Sequence, residues 1–196
     1  MVSGQRTCLM MGGDMPRKIR GIDEKPRPIN GNLAERLADE LRNSRESGQP
    51  MIEEETFAAG KRGVTVIWDA WDRLSLEERT SVILKAYELA EGHEYRETIA
   101  LARGLTVPEA YAAGMLPFQI IPALRRGDAV TLEQCRQAMI KEGASTLFGA
   151  DNPQLRFATE EDTEAVRKRL VQALPSSDQV WVITQEVGKV EDWAER

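Results

Sequence analysis

The stretch VTVIWDAWDRLSLEER, residues 64–79, joins two periodicities. Val64, Val66 and Trp68 alternate with Thr65 and Ile67, a β-branched run that reads as a strand. Ser75-Leu-Glu-Glu78 fits the S/T-x-x-E capping box that opens a helix. Between them lies a turn that holds Asp69, Trp71 and Asp72. Two of the four acids, Glu77 and Glu78, suit the positive end of a helix dipole. Asp69 and Asp72, three apart, have two readings. They are turn residues, or they share a cation or divide into acid and base, as in a metal-dependent enzyme. Strand alternation puts Trp68 in the core and leaves Trp71 half-exposed unless the loop turns it back. An exposed Trp71 would be an anchor for a protein partner. The two Trp-Asp pairs do not indicate a propeller, because no repeat of ~40 residues accompanies them.

The same grammar extends in both directions. Upstream, Leu33, Leu37 and Leu41, with Ala34 and Ala38, predict a helix capped by Asn32 and ended by RESGQP, residues 45–50. Met51 to Phe57 is expected to pair as a hairpin with the strand at Val64, around the two glycines of AAGKRG, residues 58–63. Its three consecutive glutamates place it at an edge. Downstream, Thr106-Val-Pro-Glu109 and Thr131-Leu-Glu-Gln134 repeat the capping box, and Thr159-Glu-Glu-Asp162 nearly does. Gly114 and Gly143 fall where left-handed glycines stop helices. Strands are predicted at 98–102, 118–121, 155–157 and 180–184. The order is α-β-β-α-β-α-β-α-β-α-β, an α+β or α/β fold with a mixed sheet covered by helices.

The 196 residues suit one globular domain, residues 33–188, divisible into subdomains 33–114 and 115–188. Residues 1–32 show no apolar period and are expected to be a disordered basic tail; 189–196 form a polar end. The tail holds six basic and three acidic residues, about +3. The rest of the chain, from a net charge of −6, is then about −9. That tail is free for solubility alone, for folding back on the acidic body, or for an acidic partner. Met15 would also serve as a start, so the first 14 residues are expected to be an over-extended gene boundary that an intact mass would test.

The acidic balance speaks against a nucleic-acid binder, which normally shows a basic footprint. No run approaches the ~18 apolar residues needed to span a bilayer, and no secretory signal opens the chain. Cys8 and Cys135 are too few for a disulfide framework, so a cytoplasmic location is expected. Cys135 reads as a small core residue beside Leu132 and Met139, and Cys8 lacks a base or helix terminus to activate it. His93, the sole histidine, removes zinc-finger and HExxH patterns. It is placed in an exposed loop, as an inert residue or one that contacts a partner, a proton or a metal. No catalytic residue, metal site or cofactor is assigned.

DAWDRLSLEERTSVILKA, residues 69–86, resembles the strand-to-helix segment of BolA-like proteins through Asp69, Ala70, Trp71, Asp72, Ser75, Arg79 and Ala86. ETIALARGLTVPEA, residues 97–110, is similar to that family's third strand and Thr-Pro helix, with one extra residue before Pro108. The resemblance covers about residues 33–113 and implies a fold similar to a class II KH domain. It also implies a redox or iron–sulfur adaptor that shares ligation with monothiol glutaredoxins through histidines. Thr80 stands at one of those positions, and His93 comes several residues before the other. The GXXG loop of nucleic-acid-binding KH domains is not found. Three functions are therefore carried forward. They are a non-enzymatic cytoplasmic module that binds another protein through Trp71, Asp69, Asp72 or His93, a BolA-like adaptor using His93, and a metal-dependent enzyme at Asp69/Asp72.

Overall fold

The computed structural model describes residues 31–43 and 49–186, apart from the side chain at 176. The basic tail before Gly31, Cys8, the alternative start at Met15, most of RESGQP and the polar end at 189–196 lie outside these residues. The protein is an α+β fold. Its elements are α1 (Gly31–Arg42), β1 (Met51–Thr56), β2 (Arg62–Ile67), α2 (Leu76–Glu91), α3 (His93–Thr98), β3 (Ile99–Leu105) and α4 (Val107–Ala112). They continue with β4 (Phe118–Pro122), α5 (Leu132–Lys141), β5 (Leu155–Phe157), α6 (Glu160–Ala173) and β6 (Trp181–Gln185).

Local chemistry sets the helix ends. Ser75, Thr106 and Thr131 each accept a bond from the backbone of the third helical residue, and Glu78, Glu109 and Gln134 return one. Such a cap stabilises by about 1 kcal/mol. Thr159 caps α6 through the Asp162 amide, and its hydroxyl donates to the Asp162 carboxylate instead of closing the box. At the far ends, Gly114 and Gly143 have φ of 72° and 86°. The amides that follow, Met115 and Ala144, reach back to Ala110 and Met139. These are Schellman closures, which favour glycine at the left-handed position. Two boundaries differ from expectation. α1 already includes Gly31 and Asn32, so Asn32 does not cap it. His93 opens a helix of its own: Gly92, at φ 92°, breaks α2, and six helical residues are too few to show a period.

The strands expected in one mixed sheet divide into two three-stranded sheets, ordered β1-β2-β3 and β5-β4-β6. In the first, β1 runs antiparallel to β2 and β3 parallel to it. The second is antiparallel throughout. β4 and β5 share three paired positions, and β6 supplies five more on the other side of β4. These short strands satisfy one another, and none pairs with β1, β2 or β3.

Alternation then assigns the faces. Val64 and Val66 turn toward α1 and α2, where they meet Leu33, Leu37, Val82, Ile83 and Tyr87. Ile67 turns the opposite way and is buried with Val107, Ala110 and Leu116. The second sheet builds its own core from Ile120, Leu155, Phe157 and Trp181, against Cys135 and Met139 of α5 and Val166 and Leu170 of α6. Cys135 is buried as expected, while Leu132 is exposed. Met51 packs against both the Ile67 cluster and the second core.

Candidate interaction cleft

The turn after β2 does not gather its acids into a site. Asp69–Trp71 form a single 3-10 turn that reverses the chain. The reversal carries Trp71 inward until none of its surface is exposed. Its Nε1 donates to the Val66 carbonyl at 2.9 Å, and its ring meets Trp68 edge-on at 5.2 Å. The expectation of a half-exposed Trp71 is therefore corrected: strand alternation stops at Ile67, and the turn, not the pleat, orients this ring. A buried indole offers a partner no surface.

Asp69 Oδ1 accepts the Val107 amide at 3.3 Å, one of the unpaired donors at the start of α4. Asp72 points outward, 3.4 Å from the still more exposed Arg73. The two carboxylates thus serve different neighbours. His93 is exposed beyond the far end of α2, a helix of 16 residues and about 24 Å in length. The four residues singled out by sequence do not converge. Among the described residues, no group of three or more His, Cys, Asp or Glu side chains could hold a metal ion.

Two buried polar clusters escaped the sequence reading. Arg79, about 5% exposed, donates to Glu109 through both terminal nitrogens, at 2.5 and 3.1 Å, and to the carbonyls of Leu74 and Gly104. The bidentate Arg79 guanidinium holds the Glu109 carboxyl below the usual range. Arg156 in β5 is clasped similarly by Glu186, with its guanidinium 3.8 Å from the Tyr111 ring centre. Both arginines are fully occupied in joining elements.

The feature that can receive something is a cleft of about 400 Å³ between β1 and the start of α6. Met51, Phe157 and Val166 give it an apolar floor, and Glu53, Asp162 and Arg169 line it with charge. Arg169 is drawn to Glu142 at 2.7 Å. Glu55, on the same face of β1 as Glu53, is exposed nearby, as are Glu160 and Glu161 in the first turn of α6. The unbalanced charge at the cleft is negative. β1 contributes here because it is an edge strand, where its glutamates were expected. The cleft itself had no sequence signal, because its walls come from segments roughly a hundred residues apart.

The chain matches no family model, no curated protein and no solved structure. No helix among the described residues is long and apolar enough to cross a membrane.

Proposed function

We propose that the protein is a non-enzymatic, cytoplasmic module that binds another protein in the cleft between β1 and α6. The observation that carries this reading is the cleft's make-up, an apolar floor under a rim of carboxylates. That pairing suits an amphipathic segment with basic residues, whose apolar side chains enter while its charges meet the rim. Such a partner also fits the acidic body. Ala165 is exposed and lines the cleft, so Ala165→Trp fills it without touching a core. Capture from native lysate at several salt concentrations is the test. The wild-type chain should retain a stoichiometric partner that Ala165→Trp loses, with an unchanged melting temperature. A set of captured proteins identical for the two chains overturns the reading.

A second reading has its own support. Apart from the short α3 inserted before the third strand, the order α1-β1-β2-α2, then a strand and a Thr-capped helix, follows the order implied by the resemblance to BolA-like proteins. In that reading the exposed His93 supplies one ligand to an iron–sulfur cluster shared with a monothiol glutaredoxin. Co-expression of the two should give a coloured complex whose visible absorption is lost in His93→Ala. A colourless complex, or none, removes this reading.

A further inference from the structure

We propose that the chain carries its own ligand for this cleft: residues 15–22, MPRKIRGI, occupy it in the resting protein and a partner must displace them. The inference rests on the reading of the cleft as a protein-binding site and names the kind of segment it takes. Three observations converge on this occupant.

The first is charge. Arg17, Lys18 and Arg20 fall within four residues. They face a cleft where Glu53, Glu55, Glu160, Glu161 and Asp162 are unbalanced, because Arg169 is committed to Glu142. The second is apolar content. Met15, Ile19 and Ile22 sit among these cations and offer side chains for the floor of Met51, Phe157 and Val166.

The third is the tether. α1 begins at Gly31, and Arg36, in its second turn, lies 4.9 Å over the Trp68 ring. Trp68 directly follows Ile67, whose strand partner is Met51 of the cleft. The chain therefore enters α1 near that end of the first sheet, on the face opposite the cleft, and the linker has to round the β1 edge to reach it. Residues 23–30 supply eight links, which span up to about 26–29 Å when extended. A tethered segment meets its site at a high effective concentration, so modest affinity suffices for occupancy. Competition follows from the same chemistry, since the partner inferred above is also basic and amphipathic.

The test uses the full chain with Cys8→Ser and Gly21→Cys, a nitroxide on the new thiol, and ¹⁵N amide spectra; Cys135 is buried and stays unlabelled. The expected result is loss of amide intensity around 51–53 and 157–166, reversed in the same chain carrying Glu53→Lys and Glu161→Lys. Intensity loss spread evenly, located elsewhere, or unaffected by those two substitutions overturns the proposal. Mixing labelled ¹⁴N chain with unlabelled ¹⁵N chain gives a separate control: loss in the mixture would make the occupant a second copy's segment and also overturn it. Docking of residues 15–22 and capture of a partner are read independently. If Ala165→Trp still abolishes capture when no intramolecular docking is seen, only this inference fails.

Discussion

Gly104 shows how tightly single residues are placed in the first half. A Cβ built there would come within 2.8 Å of the Arg79 Cβ and 3.2 Å of the Trp71 ring. Both neighbours are buried and held by hydrogen bonds, so neither yields easily. Gly104→Ala should destabilise the protein by about 1–3 kcal/mol, the usual cost of overpacking. Urea unfolding would measure it, and a change below about 0.5 kcal/mol would mean that the β3–α2 contact is looser than described. Gly63 provides the contrast. The atom that a Cβ would strike there is the tip of the Phe57 ring, which is partly exposed and has room to move. At this scale the sequence reading succeeded where a residue's role is local, as for Ser75 and Thr131. It failed at Trp71, whose orientation depends on one 3-10 turn.

Between elements, β1, α2 and α3 meet at Glu54. Its carboxylate accepts from the Tyr87 hydroxyl at 2.7 Å and the Tyr95 hydroxyl at 2.8 Å, and the two rings stack at 5.8 Å. Burial, and then the bond to Glu54, pushes Tyr95 up to about 12 and raises Tyr87 as well. Both phenols therefore keep their protons more firmly in the folded state than in the unfolded one. Their contribution to stability is complete below about pH 10, the unfolded value. It is lost as pH rises through 10 toward 12, because the unfolded chain ionises first. Urea midpoints should fall across that window. Ultraviolet titration should show Glu54→Gln bringing Tyr95 back toward 10, while Tyr111, held up by Glu186, stays as it was. Titration of Tyr95 near 10 in the wild type would contradict the assigned bond. Sequence did not show this junction, because Glu54 lies 33 and 41 residues from the two tyrosines and shares no period with them.

Across the whole molecule, the two sheets are joined by side chains rather than by strand pairing. Gln49 accepts from the Asp69 amide at 3.0 Å and donates to the Gly143 carbonyl at 2.8 Å. Ile67 of the first sheet is buried against Val107, Ala110 and Leu116, with Phe148 and Ala158 from the second half beside them. This shared core should make unfolding a single transition. Circular dichroism and tryptophan fluorescence should give one midpoint, with Trp68 and Trp71 reporting from one half and Trp181 from the other. Gln49→Ala should lower that midpoint and cost about 1–3 kcal/mol of stability, since it strands a carbonyl and an amide. Two separate transitions in the wild type would show instead that the sheets fold as independent units.

By itself the sequence determined the α+β class, the strand and helix order apart from α3, the capping boxes and the glycine stops. Each of these is decided within three to five residues, by a hydroxyl reaching an amide or by a side chain alternating across a pleat. Only the tertiary structure decided that the strands form two sheets, that Trp71 is buried, that Asp69 serves α4, and that a cleft opens beside β1. Those outcomes depend on which distant segments satisfy one another's hydrogen bonds and apolar faces, and that competition leaves no mark within any single window of the chain.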